Sequence, residues 1–243
     1  MNDPLIRSSR PYFPQEDINY ILADLAAVLE DGRLRNGKNL NTFESMIKNY
    51  LGIKHGTALD SDSSALETAL HYYNVKNREV IVCTNSFISI PNSVLYAGGK
   101  VVFADIRKET LSMNPNDLTK KISKKTRGII VTHIAGFPNP DLIEIQEICQ
   151  KNSLFLIEDA THAMGATINN RKVGTFGDAA IFAFTPTKVL TTGEGGMVVT
   201  DNKAMADRIR LLAWSGISSS TWKRYGQTKP ARKWEYQVKE LGY

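Results

Sequence analysis

The spacing of apolar side chains changes partway along the chain, and the change predicts the architecture. Near the N-terminus Ile18, Ile21, Leu22, Leu25, Val28 and Leu29 recur every three or four residues. That period predicts an amphipathic helix over Gln15–Asp31, ended by Gly32. Leu40, Phe43, Ile47 and Leu51 place a second helix over 40–51. Beyond it come short, β-rich apolar runs at 79–83 (EVIVC), 101–104 (VVFA), 128–132 (GIIVT), 154–157 (LFLI), 179–184 (AAIFAF) and 196–199 (GMVV). Helical stretches lie between several of them, at 63–73, within 86–97, at 115–122 and at 141–151. Continuous apolar strands alternating with helices predict an α/β fold: a mostly parallel sheet covered on both faces. Ligands of such sheets bind at the carboxyl ends of the strands, here just after Cys83, Thr132, Ile157 and Phe184.

Composition narrows the picture. With 243 residues, 42% hydrophobic and 23% charged, the chain can bury one sizeable core. No apolar run approaches the ~20 residues that cross a bilayer. The first residues, MNDPLIRSSRPYF, lack an apolar signal segment, so a cytoplasmic location is expected. Cys83 and Cys149 lie in apolar stretches and read as buried free thiols, and no Cys/His cluster has metal-ligand spacing. The net charge is +5, and residues 221–243 carry +4 of it. That basic run reads as a solvated loop or a face meeting an anionic ligand. No zinc-finger or helix-turn-helix pattern supports a nucleic-acid partner. Residue 243 follows neither a helix cap nor a strand pattern, and the chain reads as cut there.

Four short segments carry candidate chemistry. In IEDATH (157–162) an acidic pair follows a buried strand, which sets Asp159 at that strand's carboxyl end; the plainer reading is a helix N-cap. In FAFTPTK (182–188) Lys188 follows an apolar strand and precedes Gly193, Gly195 and Gly196. Lysine forms Schiff bases, and partial desolvation favours its neutral, nucleophilic amine. A solvated surface charge is the plainer reading. In LDSDSSA (59–65) small hydroxyl residues open a helix, where free N–H groups and the helix dipole attract phosphate. Ser61 or Asp62 acting only as an N-cap explains the same pattern, and the Asp62 carboxylate opposes an anion. In NSFI (85–88) Phe87 stands past a strand end, where an aromatic ring stacks on a flat ligand or joins the core. Together these supply what pyridoxal phosphate needs: an amine, a carboxylate for the pyridine nitrogen, a phosphate cradle and a flat face.

On these residues the chain resembles the DegT/DnrJ/StrS family of pyridoxal-phosphate-dependent aminotransferases, which make amino sugars on nucleotide carriers. The likeness runs through RLRNGKNLNTFE (33–44) and EVIVCTNSFISIPNSVLYAGGKVVFADI (79–106). It is most specific in IEDATHAMGATINNRKVGTFGDAAIFAF (157–184) and TPTKVLTTGEGGMVVTDN (185–202). The resemblance implies an aspartate-aminotransferase-type large domain with a seven-stranded sheet over 33–215. An N-terminal segment and helix (1–32) precede it, and a basic connection (216–243) leads toward a C-terminal small domain that is missing here. It also implies roles. Lys188 carries the cofactor as a Schiff base and shuttles a proton. Asp159 keeps the pyridine nitrogen protonated. His162 stands near the ring, where the family has Gln or His. Phe87 stacks on the ring, and Ser63 with its neighbours, Asp62 among them, holds the phosphate. Glutamate as amino donor, a nucleotide-linked keto-sugar as acceptor and a homodimer with interface active sites complete the expectation.

The chain departs from the family in places. Asp62 replaces Gly, Ala or Cys; Ala183 replaces a phosphate-binding Ser; Thr185 and Val189 replace His and Asn. These changes weaken the phosphate cradle and leave the lysine in place. They motivate an alternative: a non-catalytic or truncated member that binds the cofactor or a partner without turnover. A dehydrating relative, which carries His in place of the lysine, is disfavoured by Lys188.

Overall fold

In the computed structural model, residues 10–34, 36–218 and 237–242 are described. In chain order the elements begin with α1 (Gln15–Asp31), α2 (Lys38–Leu51), β1 (His55–Leu59), α3 (Asp62–Tyr72), β2 (Glu79–Cys83), α4 (Ser89–Tyr96), β3 (Lys100–Ala104) and α5 (Pro115–Lys121). They continue with β4 (Thr126–Thr132), α6 (Leu142–Lys151), β5 (Phe155–Asp159), the short pair β6 (Thr167–Ile168) and β7 (Arg171–Lys172), β8 (Ala179–Ala183), β9 (Gly196–Thr200) and α7 (Lys203–Leu212).

Seven strands form one sheet in the order β1-β9-β8-β5-β4-β2-β3. Only β9 runs against its neighbours, antiparallel to both β1 and β8; the other four adjacent pairs are parallel. The expected mostly parallel, two-side-covered α/β sheet is therefore the fold. Alternate residues of each strand feed opposite cores, as a period of two requires. On one face Val80, Val82, Ile130, Ile157, Ile181 and Val198 pack under Leu66 and Leu70 of α3, Val94 of α4 and Ile209 of α7. On the other, Ile81, Ile129, Val131 and Leu156 meet Leu118 of α5 and Leu142 and Ile145 of α6. Further along that second face, Phe182 and Val199 meet Ile47 and Leu51 of α2.

Three elements escaped the hydrophobic pattern. β1 is a five-residue edge strand, HGTAL, with too few apolar residues to announce itself. The β6–β7 hairpin has two residues per strand. α7 carries only Met205, Ile209 and Leu212 on its buried stripe, among five charged residues, and is capped by Asn202 accepting from Met205 N. Of the predicted helices, α1 forms and ends at Gly32 in the left-handed region. None of its residues is buried, so its apolar stripe stays exposed within the described chain. Residues 1–9 and, of the basic run, Lys223, Arg224, Lys229, Arg232, Lys233 and Glu235 lie outside the described residues. Both cysteines are buried and unpaired, and burial pushes the Cys149 thiol up to about 12. Among the described residues no helix is long and apolar enough to cross a membrane, and no group of His, Cys, Asp and Glu could hold a metal ion.

One glycine fixes how β9 meets α3. Gly196 pairs with Leu59 on β1 and with Ala183 on β8. A Cβ at Gly196 would collide with the Ser61 carbonyl and the Asp62 nitrogen. Gly196→Ala is therefore expected to destabilise the protein by about 2–3 kcal/mol, a fall of roughly 4–12 °C in melting temperature. An unchanged melting temperature would mean that the α3 N-terminus can move away from β9.

Candidate active site

The acidic pair that follows the LFLI run is split by strand geometry. Glu158 and Asp159 are consecutive in β5, so their side chains leave the sheet on opposite faces. Glu158 is fully buried and accepts the N–H groups of Gly174 (2.8 Å), Phe176 (2.6 Å) and Gly177 (2.7 Å). His133, also fully buried, lies 3.2 Å from Glu158 through Nε2. Its Nδ1 accepts from Asn139 N at 3.0 Å, so Nε2 carries the proton and donates to the carboxylate. This network ties the 174–177 turn under the sheet.

Asp159 is 3% exposed on the α3 face. Its Oδ1 accepts from Thr161 N at 3.2 Å in a turn, and no helix follows, so the N-cap reading is wrong. Thr132 stands beside it in register on β4. That threonine is 4% exposed, and its hydroxyl has no partner. Nothing in the sequence singled Thr132 out beyond its place at a strand end.

His162 follows in the turn after β5, with its Nδ1 buried and unpartnered. Gly136 (φ 87°) lets the loop after β4 approach, since a Cβ there would sit 2.8 Å from the His162 carbonyl. Burial first, then the nearby Lys188 charge, pulls the His162 imidazole below its ordinary value, against the opposing pull of Asp159 and Asp62. Neutral imidazole is thus favoured at neutral pH.

Lys188 lies in the connection between β8 and β9. Phe184 closes that loop, donating to Gly195 O (2.9 Å) and accepting from Thr192 N (3.0 Å) and Thr191 Oγ1 (2.9 Å). Gly193 at φ 86° permits the turn. Lys188 is half-buried, and its charge is felt by both Asp62 and His162. It faces the site and is not an isolated surface cation.

At the α3 N-terminus Ser61 is the cap, accepting from Ser64 N at 3.1 Å. Asp62 and Ser63 are then the first helical residues, both half-buried. Burial and the Asp159 carboxylate raise the Asp62 carboxyl above its usual value, with Lys188 pulling the other way. Phe87, past the end of β2, is 68% exposed. The core reading for it is excluded. Asp62, Asp159, His162 and Lys188 therefore form one electrostatic group at the carboxyl ends of β5 and β8. An amine, a buried carboxylate and a neutral imidazole in that setting suit imine and proton-transfer chemistry.

This sheet, with a lysine after β8 and a carboxylate at the end of β5, defines the aminotransferase class of α/β fold. Residues 15–241 match the DegT/DnrJ/EryC1/StrS aminotransferase family, and the chain belongs to that family. It is 35% identical over 236 residues to the spore coat polysaccharide biosynthesis protein SpsC of Bacillus subtilis, covering 97% of this chain and 59% of SpsC. It is 33% identical over 241 residues to UDP-4-amino-4,6-dideoxy-N-acetyl-beta-L-altrosamine transaminase of Campylobacter jejuni, covering 98% of this chain and 60% of that protein. The solved structure of Helicobacter pylori PseC, an aminotransferase of pseudoaminic acid biosynthesis, superposes with a TM-score of 0.85 at 30% identity. That superposition covers 98% of this chain and 60% of PseC. The chain thus spans about 60% of the length of these relatives.

Proposed function

We propose that the protein is a pyridoxal-phosphate-dependent aminotransferase that moves an amino group, from glutamate, to a nucleotide-linked keto-sugar. The observation that carries this reading is the grouping of Lys188, Asp159 and His162 at the strand carboxyl ends of a chain in this family. The printed activities of the Campylobacter and Helicobacter relatives support a sugar acceptor, and the UDP of the former supports a nucleotide carrier.

The residues fit the cofactor on its ring side. The unpartnered Thr132 hydroxyl and His162 Nδ1 leave polar capacity around the buried Asp159 carboxylate. Lys188 would hold the cofactor through its amine, Asp159 would hold a proton on the pyridine nitrogen, and Phe87 would cover a ring face. The cofactor, when bound, supplies an electron sink beside the carbon that gains or loses a proton. Lys188 Nζ, once free, takes and returns that proton as general base and then acid. Phe87, Ile88, Phe137 and Val189 are exposed on the loops at this end of the sheet. They support a second copy of the chain covering the site.

The reading is tested by adding pyridoxal phosphate to the purified protein, reducing with borohydride and mapping the modified peptide. A yellow protein whose adduct lies on Lys188 is expected. A colourless protein without an adduct would instead support the non-catalytic alternative, which Asp62 and Ala183 favour.

A further inference from the structure

We infer that Asp62 makes the α3 cradle selective against a doubly charged phosphate, so that this chain holds the phosphorylated cofactor more weakly as pH rises. The inference rests on the cofactor reading above.

The α3 N-terminus is the natural anion position of this site, because its free N–H groups and helix dipole face the same end as Lys188 and Asp159. Independently, Thr132 marks a ligand there. Its hydroxyl is buried and unpartnered, and it shares a sheet face and register with Asp159. The cradle itself is poor in donors. Ser61 Oγ already takes the Ser64 N–H. Ala183 on β8, paired with Gly196 beside the Ser61–Asp62 backbone, presents a buried methyl. By strand alternation it leaves the sheet on the same face as Ile181, toward α3. The cradle cannot widen to spare the anion, because Gly196 already touches the backbone at Ser61 and Asp62.

Into this tight corner the chain places a carboxylate. The charged and titratable groups around it are Asp159 from β5, Lys188 from the β8–β9 loop and His162 from the turn after β5. Lys188 is the only cation among these three, and its amine is the group the cofactor consumes. Protonated, Asp62 is neutral and able to donate a hydrogen bond; ionised, it repels phosphate. Its carboxyl is held above the usual value, chiefly by burial and then by Asp159. Rising pH therefore charges Asp62 and, through a second ionisation near ~6, the phosphate. Both changes oppose binding.

Pyridoxamine 5′-phosphate and pyridoxamine, which lack the aldehyde, separate the phosphate contribution from attachment to Lys188. The ratio of their dissociation constants, by calorimetry, reports the gain from phosphate. In the wild type that ratio should fall as pH is raised from about 5.5 to about 8.5. In Asp62→Asn it should be about tenfold larger than wild type at the upper pH and should not fall. Asp60→Asn, which removes an exposed carboxylate two residues away, should leave it unchanged. A large wild-type ratio that is flat in pH and indifferent to Asp62→Asn overturns the inference while the cofactor reading stands. An equal rise in Asp60→Asn also overturns it, as a general charge effect. Failure of both compounds to bind any of the proteins removes the cofactor reading and this inference with it.

Discussion

Replacing Lys188 with arginine is expected to abolish transamination and leave the fold intact. The loop that carries Lys188 is held by backbone groups: Lys188 N donates to Thr185 O at 3.1 Å, and Phe184 closes the turn with Gly195 and Thr192. None of these bonds uses the lysine side chain. Arginine keeps the positive charge that Asp62 and His162 feel. The guanidinium stays protonated at any working pH, so it neither attaches a cofactor nor accepts a proton. The loss should sit at or beyond the upper end of the roughly 10²–10⁴-fold range for general acid–base groups, since attachment is lost as well. The measurement is the spectral change that glutamate produces in the pyridoxal-phosphate-loaded protein, alongside a thermal melt. An unchanged melt with no spectral response is the expected pair. A normal response in the arginine variant would sink the assigned role of Lys188.

The second large effect is expected for Asp159→Asn: a fall of about 10²–10⁴-fold in rate with little change in stability. Asparagine retains an oxygen for the 3.2 Å bond from Thr161 N, so the turn after β5 should persist. What disappears is the buried charge that would keep a pyridine nitrogen protonated. The same substitution has a readout away from the chemistry. Asp159 raises the His162 titration against burial and Lys188, so His162 should titrate lower in the variant, as followed by NMR. Asp62 should move down too, because Asp159 is one of the two causes that raise it. Wild-type rates in Asp159→Asn would remove it from the site, whereas unchanged titrations would mean the three groups are not neighbours.

Much of this was readable in advance. The apolar runs located β2, β3, β4, β5, β8 and β9 to within two residues at either end, because strands buried on both faces need apolar residues throughout. The same logic sent Asp159 and Lys188 to strand carboxyl ends. β1 and α7 were missed for the converse reason. An edge strand and a half-exposed helix need only two or three buried side chains each, and HGTAL and KAMADRIRLL show little more than that. The glycines were legible as a flexible turn, but the need for Gly196 arises from a segment some 130 residues earlier in the chain.

The sequence by itself determined the alternation of strands and helices, the family, and the residue types available for chemistry, since these depend on local period and composition. Only the tertiary structure decided which neighbour did what. Strand alternation turned Glu158 into a buried structural anchor and Asp159 into a site residue. Sheet order brought β5 between β4 and β8, so that Thr132 stands beside Asp159 although neither announces the other. The fold also made Ser61 the cap and left Asp62 facing Asp159 and Lys188. Contacts between residues far apart in sequence settle such choices, because burial and charge act through space rather than along the chain.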